Sequence, residues 1–289
     1  MDLLLKNKDG NSVGINLTGA TLTNLVLGDE EVIKYPLKKD DPHKGYPSAF
    51  LFPFPNRIKD GRYIFEEKEY DLERNDAEMN NAIHGLIAFS RFEIISSSEN
   101  KATLTMSYLG ENAGYPFPFK FTAHYVLKKD RLELTIEAEN TGDSNMPCAF
   151  GWHPYFGFQG SAIGEMTVKA PRRQKMELSD RYIPTGEFET ERAGLIPLKN
   201  TILDNVFKLD TPSLISEVEV RYKKKKLIVS QKTGKNKLNY MVLYTPASRD
   251  CIAIEPQSAN TNSFNNGEGL NILKPGKKVK YEISVRVES

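Results

Sequence analysis

The segment Arg131 to Asn140 alternates strictly, with Leu132, Leu134, Ile136 and Ala138 on one side and Glu133, Thr135, Glu137 and Glu139 on the other. Successive side chains of a strand point to opposite faces, so this run specifies a strand buried on one face and wetted on the other. The pattern returns in Lys101 to Leu109, Phe119 to Leu127 and Val279 to Val287. Turn-forming residues punctuate it at Asp60-Gly61, Ser96 to Asn100, Thr141-Gly142-Asp143 and Pro275-Gly276. No capped segment of a dozen residues repeats at helical spacing. Many short half-buried strands cover their apolar faces by packing sheet against sheet. The pattern therefore predicts an all-β fold, a large antiparallel β-sandwich, rather than an α/β enzyme. Without a linker-like shift in composition or a repeat of fixed period, residues 1–289 are expected to form one domain.

Charge narrows the function classes. Lys and Arg number 39 against 38 Asp and Glu, so no overall field draws the chain to phosphate polymers, and nucleic acid is not an expected partner. The four-lysine run Lys223 to Lys226 lies between Arg221-Tyr222 and Leu227-Ile228-Val229. It reads as the charged end of a hairpin that blocks edge pairing rather than as a polyanion site. Met1 to Gly10 has a very short apolar run without a basic leader, and no stretch approaches membrane-spanning length. A soluble cytoplasmic protein without a membrane partner is the expectation. Cys148 and Cys251 are too few for a disulfide framework in a chain of this size and fit core thiols in a reducing compartment.

The candidate chemistry lies in a few short segments. Gly151-Trp152-His153-Pro154-Tyr155-Phe156 sets one of only four histidines beside the single tryptophan. Aromatic faces make platforms for the C–H-rich faces of sugars and partly dehydrate an imidazole; the plainer alternative is a core aromatic cluster. Glu255 follows the apolar run Cys251-Ile252-Ala253-Ile254 and precedes Pro256, which is expected to stop the ladder. A carboxylate at the end of a buried strand needs a partner or a task. His84 in Asn81-Ala82-Ile83-His84-Gly85-Leu86 is either a site residue or a satisfied core histidine. Arg57 ends the proline-extended ribbon Phe52-Pro53-Phe54-Pro55-Asn56, where its fork can hold hydroxyl or carboxylate oxygens or form a surface ion pair. Asp204, in Ile202 to Phe207, is a ligand contact or a turn cap. The Asn- and Gly-rich stretch Ser258 to Asn271 predicts a loop bonded to its own backbone and placed to rim a pocket.

Taken in order, FPFPNRI with Arg57, NAIHGL, GWHPYF, LDNVF, IEPQ and the tail PGKKVKYEISVRV resemble the aldose 1-epimerase, or galactose mutarotase-like, family over most of the chain. The resemblance implies a large antiparallel β-sandwich with an open cleft on one sheet. It also implies Glu255 as general base, His153 as general acid, and Arg57, His84 and Asp204 as residues that bind and orient a sugar. Leu86 stands where the best-known galactose enzymes have a second glycine, and Trp152 and Pro154 replace their more polar neighbours. The continuation Ile87 to Phe92 is closer to the diverse aldose 1-epimerase-related branch, some of whose members prefer phosphorylated hexoses.

The implied reaction removes the proton of a sugar's C1 hydroxyl while its ring oxygen gains one, and it needs neither a redox cofactor nor a metal. The readings in play are a mutarotase for a free aldohexose, a hexose-6-phosphate mutarotase, and a carbohydrate-binding or sensing protein without turnover. A metal hydrolase built on His84, His153, Asp204 and Glu255 has no close-spaced ligand motif to support it.

Overall fold

The computed structural model describes residues 1–34, 45–210 and 214–288. The strand Arg131–Asn140 buries every second residue from Leu132 to Asn140, as its alternation requires. It pairs antiparallel with Phe119–Leu127 and Lys278–Glu288, with Leu134 opposite Tyr125 and Ile283. These three strands lie inside a nine-stranded sheet that continues through Lys101–Tyr108 to Glu93–Ser97 on one side. On the other it runs through Lys225–Lys232, Ile215–Tyr222 and Thr167–Ala170 to Gly194–Pro197. The four-lysine run ends a hairpin: Tyr222 pairs with Lys225, which leaves Lys223 and Lys224 as a two-residue turn.

A second sheet has the order Pro184–Glu191, Arg173–Leu178, Asp204–Leu209, Tyr240–Tyr244, Ile252–Gln257, Gly151–His153 and Ala49–Leu51. Tyr155–Phe156 also pairs with Ile252–Gln257. Leu3–Lys6, Ser12–Asn16, Thr21–Leu27 and Glu30–Glu31 form a separate four-stranded sheet. Among the described residues, helical structure amounts to the turns Ile163–Glu165 and Ser263–Asn266. The second turn falls inside the stretch expected to be irregular, between Asn262 and Gly267, both left-handed. No helix among the described residues is long and apolar enough to cross a membrane.

The two large sheets meet through aromatic side chains. Phe121 lies 5.6 Å from Phe50, 5.3 Å from Phe52 and 6.2 Å from Phe150, ring centre to ring centre. Phe150 in turn stacks on Tyr281 at 5.0 Å. Cys148 and Cys251 are free, buried thiols. In the second sheet Trp152, Ile254, Met241, Leu243 and Phe207 point into this core. Side chains one position along each strand, His153, Glu255, Val242 and Val206, must then lie on the opposite face. The core thus decides which residues the outer face displays.

Removal of the Phe121 ring leaves a cavity among Phe50, Phe52, Phe92 and Phe150, whereas Ile64 is 68% exposed. We expect Phe121→Ala to cost about 3–5 kcal/mol and Ile64→Ala to stay within about 0.5 kcal/mol, read from urea denaturation. Equal losses would contradict the placement of the core.

Candidate functional site

Gly151 pairs with Gln257, and Tyr155 with Ala253, a register that sets His153 directly across from Glu255. The bonds of this ladder run from Ile254 N–H to the Pro154 carbonyl (3.4 Å) and from Ser258 N–H to the Phe150 carbonyl (2.8 Å). His153 and Glu255 therefore occupy a non-hydrogen-bonded position, where facing side chains approach most closely. Pro256 does not stop the strand, contrary to the sequence reading; it pairs with Met241, and the strand runs on to Gln257. Its missing N–H falls on the side facing Trp152, midway between the two bonds just named. The ladder there loses one bond while pairing on the other edge continues.

His153 Nε2 lies 3.3 Å from Glu255 Oε1, and Gln257 Nε2 donates to Glu255 Oε2 at 3.1 Å. Both residues are buried, at 6% and 2% exposure, yet both line a cleft of about 350 Å³. Loss of hydration acts against whichever form is charged. It pulls His153 down to about 4. It pushes Glu255 up to about 8; the neighbouring Asp204 adds to the rise, while the Gln257 hydrogen bond and Arg57 oppose it. Over the interval between these values the pair holds one proton. Where both groups are neutral that proton sits on Glu255, 3.3 Å from Nε2. Its transfer to the imidazole produces a carboxylate beside an imidazolium.

His84 stands next to this pair, with its ring edge-on to His153 at 5.4 Å and Tyr46 packed against it at 4.6 Å. Its backbone is left-handed (φ 64°), and its N–H donates to the Asn56 carbonyl at 2.9 Å. Gly85 explains how the chain gets there. With φ 71°, it passes so close to Phe52 that a Cβ would lie 2.3 Å from the Phe52 carbonyl oxygen. Burial holds His84 well below the usual histidine range, assisted by His153 and Arg57. The Nδ1 atoms of His84 and His153 are both buried without a hydrogen-bond partner among the described residues.

Arg57 lines the same cleft and also makes an ion pair there, one that is largely buried rather than on the surface. Its Nε donates to Asp76 Oδ2 at 2.6 Å, and its guanidinium lies 4.5 Å from the Tyr182 ring centre. Asp204 is no isolated turn cap: it opens the strand Asp204–Leu209 opposite Tyr244 and reaches the cleft. Partial dehydration raises its pKa, and Arg57 works against the rise. Arg57, His84, His153, Asp204 and Glu255 thus converge on one cavity. Among the described residues, no group of three or more His, Cys, Asp and Glu is placed to hold a metal ion.

Sequence reasoning missed Asp76, Tyr46, Tyr182 and Tyr244, which also line the cleft. Tyr244 carried a signal, because it stands two residues from Val242 on a strand and so shares its face. Asp76 and Tyr182 lie in loops whose local sequence does not point to Arg57. The Ser258 to Asn271 stretch does bond to its own backbone, as with Asn266 Nδ2 to the Thr261 carbonyl (2.9 Å). It does not rim the cleft, however. Asn262 instead docks on the strand that carries Arg57, accepting from Lys59 N–H at 3.0 Å and donating to the Arg57 carbonyl at 2.7 Å. Asn262 and Asn266 are therefore spent on backbone support.

Residues 1–286 match the family model for aldose 1-epimerase. The chain is similar to the uncharacterized protein YihR of Escherichia coli (strain K12), with 28% identity over 267 residues, 90% of this chain and 84% of that protein. A galactose mutarotase-like protein from Clostridium acetobutylicum has a TM-score of 0.86 at 21% identity, covering 97% of this chain and 93% of that one. A galactose 1-epimerase from Lactobacillus acidophilus NCFM has a TM-score of 0.82 at 20% identity, covering 99% and 93%. At these identities the structural likeness establishes a shared galactose mutarotase-like fold.

The dehydrated pair makes stability depend on pH. Because Glu255 is raised from 4.5 to about 8, the folded state keeps a proton that the unfolded chain releases, and stability falls as pH rises through that window. His153, lowered from 6.5 to about 4, gives the opposite slope below pH 6.5. Between pH 6.5 and 8 the glutamate's contribution falls by about 2 kcal/mol, opposed only by the tail of the titration of His153 and of the likewise lowered His84. We expect Glu255→Gln to remove that fall when both proteins are denatured chemically at pH 6.5 and 8. Identical pH slopes for the two proteins would contradict the burial assigned to Glu255.

Proposed function

We infer that this chain, which belongs to the aldose 1-epimerase family, interconverts the α and β anomers of an aldohexose by general acid–base ring opening and reclosure. Glu255, as carboxylate, takes the proton of the C1 hydroxyl while His153, as imidazolium, gives one to the ring oxygen. The C1–O5 bond breaks and an aldehyde forms. Rotation about C1–C2 presents the other carbonyl face, and the same two groups reverse their roles as the ring closes. Arg57, His84 and Asp204 bind and orient the hydroxyls.

The observation that carries this reading is the buried His153–Glu255 pair, 3.3 Å apart at the cleft. Ring opening moves one proton onto Glu255 and one off His153, so the pair contains the same number of protons before and after. A site that holds one proton on two groups through neutral pH fits that requirement. The neutral pair of the free protein also has the proton arrangement that ring opening leaves behind. Sugar entry between the two groups has to favour the charged arrangement, and Arg57 and Asp204 are placed to influence it. Among the described cleft residues Arg57 is the one cation, and Asp76 already pairs with it. This supports a neutral sugar over a hexose 6-phosphate.

The test is anomer exchange by NMR with glucose, galactose and glucose 6-phosphate, beside sugar affinity. We expect the neutral sugars to be turned over at least as well as the phosphate. Glu255→Gln and His153→Asn should each slow exchange by about a hundredfold or more while folding and affinity persist. Near wild-type exchange in Glu255→Gln would sink the base assignment. Binding without exchange in the wild-type protein would assign the cleft to a carbohydrate sensor.

A further inference from the structure

Arg57 is gripped on two sides by residues outside the acid–base pair. Its Nε donates to Asp76 Oδ2 at 2.6 Å, its Nη1 reaches Asn56 Oδ1 at 3.3 Å, and its flat face lies against the Tyr182 ring. No hydrogen bond to the described residues engages Nη2. The Arg57 and Asp76 side chains are 17% and 15% exposed, so this pair is shielded from the solvent screening that weakens surface ion pairs.

Asp76 and Tyr182 arrive on separate loops, and Arg181 ties those loops together. Its Nε donates to the Met79 carbonyl at 2.9 Å, and its Nη2 to Asp60 Oδ1 at 2.7 Å and the Asn80 carbonyl at 3.1 Å. Asn81 Nδ2 donates back to the Arg181 carbonyl at 3.1 Å. Tyr182 adopts a left-handed backbone (φ 58°) in this tied turn, a conformation that few non-glycine residues take without a structural reason. One arginine therefore anchors the two walls that hold another.

We propose that Asp76 is a positioning residue that acts through Arg57, fixing the guanidinium so that its remaining edge meets sugar hydroxyls, with Tyr182 setting its plane. The inference rests on the reading of Arg57 as a sugar-orienting group. An unsupported arginine has to give up side-chain freedom each time a ligand binds, whereas one already held on two sides does not. Asp76 does not touch the reacting atoms, so its loss weakens sugar binding more than it slows the chemical step.

The test is kcat and KM for anomer exchange of glucose or galactose, whichever the wild type turns over faster. The proteins are wild type, Arg57→Gln, Asp76→Ala, Asp76→Asn and the Arg57→Gln/Asp76→Ala double variant. We expect Asp76→Ala to raise KM about tenfold or more with kcat within about threefold. Asp76→Asn should fall between, since its amide oxygen still accepts from Nε. The double variant should match Arg57→Gln, because Asp76 has no role once the guanidinium is gone. The bridge between Asp76 and Asn81 uses backbone atoms only, at 3.0 and 3.1 Å, and keeps the loop in place. Should Asp76→Ala fail to fold, Asp76→Asn and Tyr182→Leu carry the same comparison. A normal KM in Arg57→Gln would overturn the role of Arg57 and this inference with it. An impaired Arg57→Gln beside a normal Asp76→Ala would overturn the role of Asp76 alone, as would additive losses in the double variant. If the wild type exchanges neither sugar, the same cycle is read from sugar Kd values, and binding of neither overturns both readings.

Discussion

The register between Gly151–Phe156 and Ile252–Gln257 puts an imidazole and a carboxyl group face to face where water is scarce, and the chemistry of the cleft follows from that. Two prolines flank the position. Pro154 and Pro256 each lack a ladder donor, yet the strand holding Glu255 stays in the sheet because its other edge remains paired with Tyr240–Tyr244. The aromatic core beneath fixes Trp152 and Ile254 inward, and this turns His153 and Glu255 outward. A one-residue slip would turn the pair into the hydrophobic core and the tryptophan toward the cleft. Packing of the hydrophobic core therefore protects the register on which the acid–base pair depends.

Dehydration then gives the two groups their usefulness. In water the carboxyl group would lose its proton well below neutrality, and the imidazole would titrate independently of it. Buried together, they titrate as a pair, and a proton that one group gives up the other can gain. Arg57 and Asp204 bias that exchange from the cleft wall, in opposite directions, through the charge that each presents to Glu255. His84, held near the pair by the close approach of Gly85 to Phe52, stays neutral and offers a polar edge without adding a competing charge.

The fold was legible because one-sided burial prints a period of two on the sequence, and Arg131–Asn140 appears as a strand with the same bounds and the same buried face. The five candidate cleft residues were legible as short segments, and three-dimensional proximity was implied only by the family resemblance. Pro256 misled, because a proline's effect depends on which edge of the strand its nitrogen faces, and sequence does not record that. The asparagine-rich loop misled for a related reason: its composition specifies turns, while the partner it supports is set by tertiary contact. Asp76 and Tyr182 had no local signature at all, since their meeting at Arg57 is produced by loops that Arg181 joins.

The central claim is that His153 and Glu255 share one proton in a dehydrated site, and the pH profile of kcat/KM for anomer exchange tests it most directly. Removing the shared proton disables the acid, and adding a second disables the base. The account predicts a broad plateau from about pH 4 to about pH 8, falling on both sides. A single limb near the ordinary histidine pKa of about 6.5, with no alkaline fall, would contradict it.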